Sequence, residues 1–546
     1  MPSPMPISRR TVLAGIASSA MAAILAACGG APNPTETPRA GVSTNGSAVG
    51  ASATGTPTPV AAPTTGNTGR QPTGELRIAV ASFPNTVDAL KETNVLRFGM
   101  AETLMRLTPQ YHLEPWLAER LVNIDPTTWR VTLRANAKFH DGSPVTAQDV
   151  VAAFQRAYAA YPGADGILSK ETQITALDAT TLEFKTPQPA GALPNALSSG
   201  YFIVHKPRTP GGSDGFVLTG PYRATKLTVD TALDLEAFTD HWAGPPPIAR
   251  ITIKKVVDPN AEALALQAGD TDFIYRVPPE VVQGLGGEIV VSSIPSALLD
   301  SVNLNLAHPP FDDRAVREAT AWALDRNAFV QVALAGQGAP ATGAFPPNLG
   351  GDVAPTQGTD RNRARQLLED AGWKVGPDGV RAKEGKRLAF TLTSADPSQP
   401  ELTAIAVIMQ GQLKPLGYDV QIQQAQDSSP FIKSGNFDGL MQSNNALQTG
   451  DPLFQLNRTF GAGGATNTGG YHNPQVDDIL GQLRVELDPT KRQALSRQVQ
   501  AIVGKDVPDI FLVVVPLISA YRKGKVKNFT PHPDDTYLID HTVSVS

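Results

Sequence analysis

Residues Trp129–Phe154 read WRVTLRANAKFHDGSPVTAQDVVAAF. Trp129, Val131 and Leu133 alternate with Arg130, Thr132 and Arg134, which is the period of a half-buried strand. Asp141-Gly142 marks a turn, because glycine takes positive φ at no steric cost. Pro144 disfavours helix in the residue before it. The helix therefore starts later, at a capping box in which the Thr146 hydroxyl accepts a backbone N–H and the Asp149 carboxylate reaches back. Val150, Val151, Phe154, Ala157 and Tyr158 then share one helical face. His140-Asp141 carries the residue types of a catalytic pair. Adjacent side chains seldom point at one target, however, and no nucleophile lies nearby, so the stretch reads as a structural strand–turn–helix unit.

The 546 residues suffice for a large core and two or more lobes. Hydrophobic content of 41% and charged content of 18% are those of a soluble globular chain. A net charge of −5 argues against a nucleic-acid partner, which requires a basic face. Cys28 is the single cysteine, so neither an intrachain disulfide nor a cysteine metal cluster can form. No H-x-x-H or H-x-x-x-H pair is present, and His472 sits in a Gly470–Pro474 turn, so no metal site or cofactor is expected.

Ser8-Arg9-Arg10-Thr11-Val12-Leu13 resembles a twin-arginine export motif, although paired arginines also occur in general secretory signals. The apolar run Val12–Ala27 is too short to span a bilayer comfortably. It ends in Leu25-Ala26-Ala27-Cys28-Gly29, which resembles a lipobox, and Cys28 is the expected lipidation site. Residues 1–28 are thus read as a lipoprotein signal peptide. Residues 29–73 are Ala, Pro, Thr, Gly, Ser and Asn with almost no large apolar side chain. Such a segment cannot bury enough surface to fold and reads as a tether with an r.m.s. span of about 35–40 Å.

Leu76–Ala81 reads as a strand. Ile251–Val257, a helix over Asn260–Gln267 stopped by Gly269, and Asp272–Tyr275 form a βαβ unit, which requires an α/β fold with a mixed or parallel sheet. Asp312 or Asp313 caps a helix through Val316, Ala319 and Ala323, and Asp360 caps another closed by Gly372. Arg317 and Arg326 are expected in structural ion pairs. Glu401–Leu416, Val476–Leu487 and Lys491–Val503 read as helices, and Ile510–Val515 as an apolar strand.

Several of these segments resemble, in order, motifs of the large extracytoplasmic solute-binding proteins of ABC importers, family 5, the peptide/nickel/opine-binding group. They are Pro115-Trp116-Leu117-Ala118-Glu119, the F-H-D-G-S-P-V-T-A-Q-D-V-V string from Phe139, and Thr219-Gly220-Pro221-Tyr222. Ala265-Leu266 with Gly269 and Asp272, and Pro310-Phe311 with Asp313, Val316 and Arg317, continue the series, followed by Asp325-Arg326. Met100–Leu107 resembles the family's helix leading into a strand. The likeness covers about residues 74–530. It implies a type II periplasmic-binding-protein-like clamshell, two lobes with mixed sheets and an extra subdomain. Residues 74–100, 216–300 and 508–546 would form lobe I, 101–215 the subdomain and 301–507 lobe II.

The resemblance also implies a solute in the interlobe cleft, bound by the loop after the first strand (Ser82, Phe83, Asn85, Asp88) and by Ser443, Asn444, Asn445, Gln448 and Asp451. Peptide-binding relatives place an acid against the α-ammonium in the slot taken here by Gln448. A neutral amide cannot offset a buried ammonium as a carboxylate does. No catalytic residue is expected: the chain has no G-x-S-x-G elbow, no H-E-x-x-H and no cysteine in its body. The implied role is a lipid-anchored extracytoplasmic binding protein, a monomer that delivers an oligopeptide or related solute to ABC permease and ATPase subunits. A non-peptide solute or a surface sensor is the alternative, and a secreted hydrolase the more distant one. Replacing Cys28→Ala is expected to move the protein from the membrane to the soluble fraction, and retention in the membrane fraction would refute the lipobox.

Overall fold

A computed structural model describes residues 71–209, 215–351, 353–395 and 399–546. The export motif, Cys28 and the tether as far as residue 70 lie outside the described residues.

Two long strands, Ile289–Leu304 and Asp509–Arg522, run antiparallel through the middle of an 11-stranded sheet. Ile289–Ile294 pairs with Leu517–Arg522, the register breaks where Pro295 faces Pro516, and pairing resumes at Leu299 opposite Val514. Proline has no N–H for a ladder, and extra residues on one strand bend it. The ladder is therefore weakest where the chain crosses from one lobe to the other.

On one side of the break Phe273–Tyr275 pairs with Ser519–Tyr521. Beyond it come Thr73–Val80, Ile248–Lys255, Ala232–Ala237 and Tyr222–Thr228. Thr73–Val80 lies between Ile248–Lys255 and Phe273–Tyr275, parallel to both. The first strand of the body is thus inserted inside the βαβ unit. The unit's helix, Pro259–Ala268, is capped by Asp258 and ended by Gly269 at φ +84°, where a side chain would also meet Arg522. This lobe's core joins Leu76, Ile78, Ile251 and Phe273 to Leu538, Ile539 and Val543 from the C-terminal segment.

On the other side Leu298–Leu304 pairs with Gly439–Asn445, followed by Ala389–Ser394 and Asp419–Gln424. Helices Arg314–Ala323, Arg326–Ala333, Arg361–Asp370 and Pro400–Leu413 contribute to one apolar cluster of this lobe, and Pro474–Val485 and Pro489–Asp506 to another. Asp313 rather than Asp312 caps the first of these helices, accepting from Ala315 N at 2.9 Å.

The Trp129–Phe154 stretch lies in a separate four-stranded antiparallel sheet ordered Ala118–Asp125, Thr128–Leu133, Thr181–Lys185, Gln173–Ala176. The capping box forms: Thr146 Oγ1 accepts from Asp149 N at 3.2 Å and Asp149 Oδ2 from Thr146 N at 3.0 Å. Helix Ala147–Ala160 buries Val150 and Phe154, and Phe154 stacks on Phe202 at 4.6 Å. His140 and Asp141 diverge. His140 Nε2 lies 2.9 Å from the Gly220 carbonyl, and burial pushes its pKa down to about 4. Asp141 pairs outward with Lys206 at 2.8 Å.

Two expectations need correction. Met100–Leu107 is not a helix: only Met105–Leu107 is regular, as a strand paired with Leu113–Pro115, and the nearest helix is the short Asn94–Arg97. Arg317 and Arg326 are caged mainly by backbone carbonyls rather than carboxylates. Arg326, 2% exposed, donates to the carbonyls of Phe511, Ala321, Leu324 and Gly358 and to Gln357 Oε1. Arg317 donates to the carbonyls of Asp506 and Phe311. Carbonyls left over at helix ends supply there what a carboxylate was expected to give.

Asp509 opens the second long strand. Its carboxylate accepts from Asn303 Nδ2 at 2.8 Å, yet burial raises its pKa to about 7. Between roughly pH 4 and 7 the folded protein keeps a proton that the unfolded chain has released, so this group makes stability fall as pH rises through that window. Asp509→Asn is expected to flatten that decline, measured as the difference in urea midpoint between pH 5 and pH 7.5.

Candidate ligand cleft

A cavity of about 290 Å³ opens between the lobes. One wall comes from the helix Asn94–Arg97, which contributes Asn94 and Arg97, and from Ser198, Gly200 and Tyr201 of the subdomain. The C-terminal segment adds Asp534, Asp535, Thr536 and Tyr537. The opposing lobe adds Asn445, the last residue of its strand, and Gln448 in the loop that follows.

Backbone bonds fix the C-terminal segment in place: the amides of Leu538 and Ile539 both donate to the Arg97 carbonyl, at 3.1 and 2.9 Å. The Arg97 side chain returns the contact. Its Nε donates to the Asp535 carbonyl at 2.7 Å and its Nη2 to Asp535 Oδ2 at 3.0 Å. Arg276 Nη2 approaches the same Oδ2 at 3.1 Å. Asp534 accepts from the Thr536 amide and hydroxyl, at 3.1 and 2.7 Å. Burial and the neighbouring Asp535 push the Asp534 pKa up. Asp535 is thus the carboxylate held between two guanidiniums, beside a second acid that favours its proton.

The loop carrying Gln448 is locked locally. Asn445 Oδ1 accepts from Leu447 N at 3.1 Å, and Gly450 turns at φ +72°. Gly450 also packs against Leu107 of the subdomain so closely that a Cβ would lie 2.6 Å from Leu107 Cδ2. Asn195 Nδ2 donates to the Thr449 carbonyl at 2.9 Å, a direct bond between the subdomain and the opposing lobe.

Of the residues expected at the site, Asn445 and Gln448 line the cavity. The others lie elsewhere. Ser443 and Asn444 sit in the sheet opposite Asp300 and Leu299. Phe83 is buried in the first lobe's core, and Ser82 and Asn85 are exposed. Asp88 closes a turn, accepting from Leu90 N at 2.9 Å and pairing with Lys91 at 3.2 Å. Asp451 faces away from the cavity: Arg492 engages both its oxygens, at 2.7 and 2.8 Å, and Oδ1 also caps the helix Pro452–Phe460 through Leu453 N. Arg97, Asp534 and Asp535 were missed. Their partnership spans 438 residues of chain, and no local pattern marks it. His472 pairs with Asp477 at 3.3 Å on the surface. Among the described residues no cluster of three His, Cys, Asp or Glu could hold a metal, and no helix is long and apolar enough to cross a membrane.

Residues 112–467 match the bacterial extracellular solute-binding proteins, family 5 Middle. The glutathione-binding protein GsiB of Escherichia coli O1:K1 / APEC is 30% identical over 497 residues, 85% of this chain and 94% of the relative. The fold superposes on NikA from Staphylococcus aureus, solved with Ni(L-His)2, with a TM-score of 0.73 at 24% identity over 86% of this chain and 100% of that one. It also superposes on the oligopeptide-binding protein AppA from Bacillus subtilis, solved with a nonapeptide, with a TM-score of 0.71 at 21% identity over 87% and 100%.

The Arg492–Asp451 pair is almost fully buried, and removing one charge from such a pair strands the other. Asp451→Asn is expected to cost about 3 kcal/mol in chemical denaturation, while leaving solute affinity unchanged where the variant remains folded.

Proposed function

We propose that this chain, which belongs to the family 5 bacterial extracellular solute-binding proteins of ABC importers, captures one small, polar, peptide-like solute between its lobes and hands it to a membrane permease while anchored through Cys28. The carrying observation is a single cavity walled by both lobes, on either side of a strand pair interrupted at Pro295 and Pro516. A clamshell with this hinge works by shifting its population from open to closed when solute bridges the walls. Solute leaves unaltered, since binding rather than turnover is the family's work. At about 290 Å³ the cavity is at the lower end of ligand sites, which suits a short compound better than a long extended peptide.

The wall chemistry supports a polar solute. Asn94, Asn445 and Gln448 are neutral donors and acceptors, and Arg97 with Asp535 supplies charge. A non-peptide solute is the second reading, and Gln448 favours it, because the slot that holds an acid in peptide-binding relatives is uncharged here. Lipid anchoring rests on the lipobox and tether, and delivery to a permease rests on family membership.

Protein lacking residues 1–73 is expected to gain thermal stability with its solute, by about 2.7 kcal/mol at a hundred times Kd. A melting-shift screen across peptides, sugars, opines and metal chelates checks this. Failure of every class to shift the melting temperature would refute solute capture.

A further inference from the structure

We infer that the solute carries both a free ammonium and a free carboxylate, and that Arg97 and Asp535 together read this zwitterionic head. This rests on the solute-capture reading and names the class of solute. The argument begins with which atoms of the pair are already used. Arg97 spends Nε and Nη2 on Asp535. Asp535 spends Oδ2 on Arg97 and Arg276. Arg97 Nη1 and Asp535 Oδ1 have no hydrogen-bond or ion-pair partner among the described residues, and both residues line the cavity. The wall therefore offers one charged donor and one charged acceptor side by side.

A zwitterion laid antiparallel against such a pair places its carboxylate at Nη1 and its ammonium at Oδ1. Both are charge-assisted hydrogen bonds, the strong kind. A solute of single charge would satisfy one atom and repel the other. The pair is held rigid for this task. Arg97 is 7% exposed, lies over the Tyr275 ring at 5.6 Å, and its carbonyl anchors the segment that carries Asp535. Arg276 Nη2 meets the same Asp535 Oδ2 at 3.1 Å. The acid that Gln448 lacks is thus supplied from the opposite wall.

The experiment is calorimetric titration of the full chain with a panel of free amino acids and dipeptides, glutathione included, their N-acetyl derivatives, their C-terminal amides, and neutral sugars. Free zwitterions are expected to bind, and either blocked form to bind about ten- to a hundredfold more weakly. Asp535→Asn should erase the preference for the free amine over the N-acetyl form. Arg97→Gln should erase the preference for carboxylate over amide. A merely structural role would weaken all probes alike. Should either variant fail to fold, the wild-type comparison still decides. Blocked forms binding as well as free ones, or sugars alone binding, would overturn the zwitterion head and leave solute capture standing. Binding by no probe would overturn the zwitterion head, and solute capture would then be decided by the wider screen that adds opines and metal chelates.

Discussion

Everything in this molecule depends on one antiparallel pairing, between Ile289–Leu304 and Asp509–Arg522. Each strand belongs to both lobes, and each changes lobe at a proline. A continuous ladder would make the sheet a single stiff plate. The break at Pro295 and Pro516 removes donors at one point and leaves strong pairing on both sides, so bending concentrates there. The cavity lies where bending has most effect, between a wall built on the first lobe and a loop following the second lobe's strand Gly439–Asn445.

The walls are held by different means. On the first lobe, Arg97 grips the C-terminal segment through its carbonyl and its guanidinium together. On the second, the loop from Ala446 to Gly450 is short, tightly turned and pressed against Leu107 and Asn195 of the subdomain. Asp451, which follows it, is committed to Arg492. That ion pair sits where the loop ends and the helix Pro452–Phe460 begins, outside the cavity lining.

Features set by neighbours in the chain were legible in the sequence. The Thr146–Asp149 capping box, the Gly269 stop and the Asp360 cap need only a few consecutive residues, and each formed as read. Motif order was also enough to place the chain among two-lobed binding proteins. Features set by distant partners were not legible. Asp88 looked like a cleft acid because of its place after the first strand, but its own turn consumes it. Arg326 was expected to meet a carboxylate, and instead finds carbonyls from Ala321, Leu324, Gly358 and Phe511, a cage that exists only after packing. Arg97 and Asp535 are unremarkable in sequence because the one gives meaning to the other only in three dimensions.

The shared sheet also constrains biosynthesis. The first lobe's strand Phe273–Tyr275 pairs with Ser519–Tyr521, and its core includes Leu538 and Ile539. Neither lobe can therefore complete its sheet until the last stretch of chain has left the ribosome. At about 5–20 residues per second, the strand ending at Leu304 waits on the order of tens of seconds for its mate at Asp509. During that interval it exposes an apolar, unpaired edge of the kind that invites aggregation.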